Sequence, residues 1–139
     1  SISHDAKDPV GLTMEYNNHK IGVATDLGIA TSLVKEHLKN SNILYLESNH
    51  DPEMLINGPY PWHLKQRIKG RTGHLSNLDA GSLISELKTD NLKHVILAHL
   101  SEENNCPQKA VQEILKNLNG SNVTLHVAGP DEVGKLIKL

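Results

Sequence analysis

Ile43-Leu44-Tyr45-Leu46-Glu47-Ser48-Asn49-His50-Asp51 is the stretch that decides the fold. Its first four residues form a short apolar run, as a core strand does, but no simple turn follows. Five polar or charged residues come instead, at the carboxyl end of the strand, where open α/β sheets place ligands. Upstream, Gly11 to Tyr16 and Ile21 to Thr25 read as two short strands joined by a polar turn at Asn17, Asn18 and His19, a hairpin. Ala30, Leu33, Val34, His37 and Leu38 then repeat at helical spacing up to about Asn40, which predicts a strand, helix, strand unit ending at Leu46.

Downstream, Gly58, Pro59, Pro61 and Gly70 break residues 52–73 into two short helices, near Glu53 to Ile56 and Trp62 to Lys69. Lys65, Arg67, Lys69 and Arg71 make this the most basic stretch, most simply a solvated helix face and alternatively a track for phosphates. Ser76 is placed to cap a helix with the stripe Ala80, Leu83, Ile84 and Leu87, and Asp79 in its first turn suits the helix dipole. Val95 to Ala98 is the next buried strand. Pro107 opens a helix with Ala110, Val111, Ile114, Leu115 and Leu118 on one face. Val123 to Val127 is a last strand, and Val133, Leu136 and Ile137 predict a short final helix. The alternation of strands and helices makes the fold class α/β.

At 139 residues the chain is one domain by length and long enough to bury a core. It opens at Ser1 directly on a polar motif, which predicts that it is part of something longer. A formal net charge of −2 gives no global basic field, so phosphate binding would rest on local charge or on metal. The single cysteine, Cys106, cannot form an internal disulfide, and no apolar stretch approaches the roughly 18 residues of a membrane span. A cytoplasmic setting is the expectation. Asn122-Val123-Thr124 matches a glycosylation acceptor but opens a predicted strand.

Four residues stand where predicted strands or connecting segments end: His4, Asp26, His74 and His99. All point to one sheet edge, and imidazole with carboxylate is the usual donor set for Zn²⁺ or Mn²⁺. Taken singly, a histidine after a strand is more often a hydrogen-bonded core or surface residue. His19, His37, His63, His94 and His126 are read as structural, the last for want of polar company.

Five ordered motifs carry a resemblance: Ser3-His4-Asp5-Ala6 with Pro9-Val10-Gly11, Ala24-Thr25-Asp26-Leu27-Gly28, Glu47-Ser48-Asn49-His50-Asp51, Gly73-His74-Leu75-Ser76-Asn77, and Ala98-His99-Leu100-Ser101. Over nearly its whole length the chain resembles the C-terminal half of a metallo-β-lactamase-fold hydrolase, specifically the YycJ/WalJ-like group related to ribonuclease Z. The resemblance implies a four-layer αββα sandwich, of which this chain supplies one mixed sheet and its outer helices. It implies two divalent metal ions, zinc or manganese, with His4 a ligand of the first, Asp26 bridging both and His99 a ligand of the second. It implies that His74 assists proton transfer to the leaving oxygen, although Leu75 and Ser76 depart from the ribonuclease Z His-Ser-Thr pattern. Glu47 would hydrogen-bond His74 or another ligand histidine, and His50 would support the site or touch substrate.

The superfamily's His-x-His-x-Asp-His motif is absent from this chain. Two groups per ion remain, where zinc normally needs three or four. The resemblance therefore implies an N-terminal half as partner, a chain inactive alone, and an apolar inner sheet face that would drive dimerisation if left open. For the complete protein, the expected function is a dinuclear metal-dependent phosphodiesterase or nuclease, DNA exonuclease-like, with nucleic acid as substrate and no membrane partner. A same-fold hydrolase of a thioester or lactam, or a noncatalytic α/β domain keeping the motifs as relics, are the alternatives.

Overall fold

The computed structural model describes residues 1–139. Strands β1 (Leu12–Tyr16) and β2 (His19–Ala24) form an antiparallel hairpin. Its turn is only Asn17 and Asn18, with φ of 46° and 63°. A tight two-residue hairpin turn calls for two left-handed residues, which Asn tolerates well. His19 is accordingly the first residue of β2, not part of the turn, a correction to the sequence-based expectation.

The remaining elements are α1 (Ser32–Leu38), β3 (Ile43–Glu47), α2 (Pro52–Asn57), α3 (Trp62–Lys69), α4 (Asn77–Leu87), β4 (His94–Ala98), α5 (Pro107–Leu118) and β5 (Thr124–Val127). Caps set several boundaries: Thr31, Asp51 and Ser76 accept hydrogen bonds from the amides of Val34, Met54 and Asp79. No helix forms at the carboxyl end. Gly134 interrupts that apolar trio, and Val133 and Leu136 are exposed with nothing to pack on, so a one-turn helix has no tertiary support.

The sheet is mixed, in the order β1-β2-β3-β4-β5, with β2 to β5 mutually parallel. The three parallel crossovers all advance the same way across the sheet. Crossovers of one hand that advance one way put their helices on one face. The core shows this directly: Val34 and Leu38 of α1, Ala80, Leu83, Ile84 and Leu87 of α4, and Ala110, Ile114 and Leu118 of α5 pack with Ala24, Leu44, Leu46, Val95 and Leu97 of the sheet. Each such Leu or Ile contributes roughly 1.5–3 kcal/mol when fully buried.

Strand side chains alternate, so the other face carries Leu12, Met14 and Tyr16 of β1, Ile21 and Val23 of β2, Tyr45 of β3 and Ile96 of β4. No helix covers it. Leu12, Met14 and Tyr16 are 57%, 53% and 80% exposed, and the others are half-buried. His126 also finds a partner that the sequence did not suggest: its Nε2 lies 3.1 Å from His94 Nδ1.

Candidate metal centre

Glu47 ends β3 on the same side of the strand as Ile43 and Tyr45, the side the helices leave open, yet it is 0% exposed. Segments arriving from three other parts of the chain cover it. Leu27 and Leu75 donate their amides to Oε2 at 2.9 and 3.1 Å, and His74 Nδ1 and His99 Nδ1 lie 2.8 and 2.6 Å from Oε1. All four acceptor positions of the carboxylate are thereby used. Burial alone would raise the Glu47 pKa, but the hydrogen bonds from His74, His99 and Leu27 outweigh it and bring the value down to about 2. The carboxylate is charged, and both imidazoles present Nδ1–H to it, which leaves each Nε2 free. The Glu47 hydrogen bond raises the pKa of His99 against the effect of its burial.

Asp26 follows β2 with a φ of 54°, and His99 follows β4 with a φ of 55°. Left-handed backbone at a strand end turns the next side chain across the edge of the sheet instead of along it, and non-glycine residues hold it only when surrounding structure enforces it. Asn49 Nδ2 does so at β4 by donating to the carbonyl of His99 at 2.9 Å. Asp26 Oδ1 ends up 3.6 Å from His4 Nε2, 3.7 Å from His99 Nδ1 and 3.9 Å from His74 Nδ1. These are too long for hydrogen bonds.

His4 reaches the cluster on a stitched loop. Ser3 accepts the Gly28 amide and donates Oγ to the Arg71 carbonyl, each at 2.7 Å, and the Asp5 amide bonds Thr72. Gly28 permits that approach, since a Cβ there would stand 2.3 Å from the Arg71 carbonyl oxygen. His4 Nδ1 donates to the carbonyl of Gly73 at 2.9 Å, which turns Nε2 toward the carboxylates of Asp26 and Asp5. Arg67 clamps Asp5 at 2.5 Å and holds its carboxyl below the usual range.

The donor set fits a divalent cation. Asp26, Glu47, His74 and His99 offer ligand atoms all within 4.8 Å of one another. Two ligands bound to one ion at ~2 Å each stand about 3–4 Å apart, as Asp26 Oδ1 and His4 Nε2 do at 3.6 Å, whereas the 3.7 and 3.9 Å separations run to the Nδ1 atoms of His99 and His74 that Glu47 already holds. Glu47 is the exception, because its lone pairs are already engaged. It suits the role of a carboxylate that orients ligand histidines from behind. The cluster opens into a cavity of about 540 Å³ that Tyr60, Arg67 and Glu103 also line.

Of the six residues singled out in the sequence, His4, Asp26, Glu47, His74 and His99 thus converge. His50 does not. It lines a neighbouring cavity, 3% exposed, with its Nδ1 sealed from solvent and without a partner, and burial pushes its pKa down to about 4.

Sequence reasoning missed the frame behind the site. Asn105 Nδ2 donates to the carbonyls of Ser48 and Asn49 and to Asn77 Oδ1, Asn77 Nδ2 returns a bond to Asn105 Oδ1, and Ser48 Oγ bonds Asn77. This buried network ties together the ends of β3, the start of α4 and the loop before α5. Asn77 sits within a quoted motif, but nothing adjacent marks Asn105.

No protein-family profile matches the chain. Among curated proteins it is 42% identical over 109 residues to the exodeoxyribonuclease YycJ of Bacillus anthracis, a match covering 78% of this chain and 41% of that protein. It is 33% identical over 117 residues to the exodeoxyribonuclease WalJ of Streptococcus pneumoniae serotype 2, covering 84% of this chain and 44% of that protein. The chain therefore spans less than half the length of these relatives. Over most of its own length, then, this chain is a homologue of the YycJ/WalJ exodeoxyribonucleases and belongs with the YycJ/WalJ-like group.

Proposed function

We propose that this chain is the C-terminal half of a metallo-β-lactamase-fold, dinuclear metal-dependent phosphodiesterase that acts on DNA as an exonuclease. His4, Asp26 and His99 would hold two divalent ions, zinc or manganese, with Asp26 between them. The remaining ligands would come from an N-terminal half packed on the open sheet face. That face, the ligand shortfall and the coverage of 41–44% of the relatives support the division. The observation that carries the chemistry is the convergence of three imidazoles on the partnerless carboxylate of Asp26, with Glu47 holding two of them from behind.

Such ions supply Lewis acidity toward a phosphodiester and a nucleophile at neutral pH. The chain's own residues supply position and a proton. Glu47 fixes the ring of His99 so that Nε2 is the free nitrogen, and the Gly73 carbonyl does the same for His4. With Nδ1–H kept on Glu47, His74 has Nε2 available to carry a proton to the departing oxygen, a step typically worth about 10²–10⁴-fold. An acid of this kind suits a poor leaving group such as an alkoxide, which favours a phosphodiester over a thioester, whose thiolate leaves unaided. Over a lactam, the phosphodiester is favoured by the similarity to exodeoxyribonucleases.

Joining this chain to the N-terminal half of a relative tests the proposal. The joined protein should contain two divalent ions per molecule and degrade DNA with Mn²⁺ or Zn²⁺, whereas the 139-residue chain alone should not. Asp26→Ala should abolish cleavage with loss of metal. His74→Ala should lower kcat about 10²–10⁴-fold with metal retained. Hydrolysis by the isolated chain, or thioester cleavage without DNA cleavage, would overturn the proposal.

A further inference from the structure

The basic stretch of the sequence divides in the fold. Lys65 Nζ donates to the carbonyls of Ile56 and Gly58 at 2.6 and 2.8 Å, and Arg67 is held by Asp5. Lys69 and Arg71 are left without ion pairs, and both line a second cavity of about 530 Å³. His74 lines this cavity and the metal cluster's cavity alike, so the two share a wall.

Two further features of the second cavity suit an oxyanion. The amino end of α4 opens into it: Asn77, Asp79 and Ala80 have their amides bonded to the His50 carbonyl, Ser76 Oγ and the Ser76 carbonyl, whereas the Leu78 N–H is outside those bonds. A free helix amide and the helix dipole both favour an anion. His50 also stands in the wall, almost wholly buried, but its partnerless Nδ1 is sealed from the cavity and makes no contact there. The charge count is also specific. Lys35 is neutralised by Glu86 at 2.6 Å, and Asp79, which accepts from Ser76 Oγ at 2.6 Å, offsets one of the two free cations. One net positive charge remains, equal and opposite to that of a phosphodiester and about half that of a terminal phosphate.

We infer that this second cavity binds an internal backbone phosphate of the substrate strand, adjacent to the phosphodiester being cut, through Lys69, Arg71 and the amino end of α4. The inference rests on the phosphodiesterase proposal above. It makes Lys69 and Arg71 strand-positioning residues, acting on substrate binding rather than on the bond being broken.

The test uses the two-half protein and DNA oligonucleotides in which one phosphate at a time is replaced by an uncharged methylphosphonate. Neutralising one internal phosphate next to the scissile bond should raise KM about tenfold in the unaltered protein. The pair Lys69→Ala and Arg71→Ala should raise KM by about tenfold on unmodified DNA and lose sensitivity to that replacement, as expected when both partners of one charge-assisted contact are removed. Asp79→Asn should lower KM. Lys39→Ala, which removes the same charge beyond the amino end of β3, should leave KM within about twofold. Unchanged KM in the double variant, persistent sensitivity, or sensitivity only to a terminal phosphate would overturn the inference. If the unaltered protein cuts no DNA, the phosphodiesterase proposal fails instead. Titration of the metal-free chain with inorganic phosphate then decides the cavity alone: amide shifts at Leu78 and Asp79 support the anion site, and their absence removes it.

Discussion

Glu47 is the residue on which the site turns. Replacing it with Gln keeps the shape but puts an NH₂ group against either two backbone N–H donors or two imidazole N–H donors, whichever way the amide flips. Glu47→Gln should therefore destabilise the fold by about 3 kcal/mol, measurable by urea unfolding. A loss below about 1 kcal/mol would mean that the carboxylate is not the hub. His50 makes a pH-dependent contribution of definite sign. Its pKa is 6.5 when unfolded and about 4 when folded, so between those values the unfolded chain binds the extra proton. Its contribution is complete above pH 6.5 and is lost as pH falls toward 4, on the order of 3 kcal/mol. His99, raised by Glu47, has the opposite sign, so the comparison is with His50→Gln, whose stability should fall less between pH 7 and pH 4. Equal slopes would refute this. Glu47 and His99 were legible as candidates from their places at strand ends, and His74 from its place just before the helix cap Ser76. The sharing of one carboxylate oxygen by two histidines was not, since it joins residues 27 and 52 positions from Glu47.

Among the elements, the turn from α3 to α4 delivers His74. The Gly73 amide bonds Gly70, and the His74 amide bonds Ile68 at 2.9 Å. A Cβ on Gly73 would lie 2.2 and 2.3 Å from the carbonyl oxygens of Ile68 and Arg67. Both obstacles are backbone and cannot swing aside. Gly73→Ala should cost about 2–3 kcal/mol by shifting the turn, and it should weaken Zn²⁺ binding by the two-half protein because the Gly73 carbonyl also orients His4. Thermal melting and calorimetric titration check the two effects, and a variant as stable as the parent would show the turn to be slack. Helices α1, α4 and α5 were readable from their apolar stripes and capping residues. The expected helix at Val133 to Ile137 failed because a periodic trio without a surface to pack on has no reason to fold. His19 was misplaced because two asparagines suffice for the turn.

For the whole molecule, the governing feature is a sheet dressed on one side. Leu12, Met14, Tyr16, Ile21, Val23, Tyr45 and Ile96 form an apolar surface with no helix above it, and large apolar patches drive association. The isolated chain should self-associate: light scattering at high concentration should give a mass of at least a dimer, and joining the N-terminal half should abolish it. A clean monomer of the isolated chain would count against the open face as an interface. No helix is long and apolar enough to cross a membrane, so this surface is not explained by a helical span.

The sequence by itself determined the order of strands and helices and marked the strand ends where chemistry gathers. Apolar periodicity, capping residues and polar strings at strand ends are local patterns that need no knowledge of the neighbours. Only the tertiary structure decided that five of six candidates meet while His50 turns to a second cavity, that Lys69 and Arg71 are free while Lys65 and Arg67 are engaged, and that Asn77 and Asn105 brace the site. Those outcomes depend on contacts between distant segments, which form only once the parallel crossovers have brought the carboxyl ends of β2 to β5 to one edge.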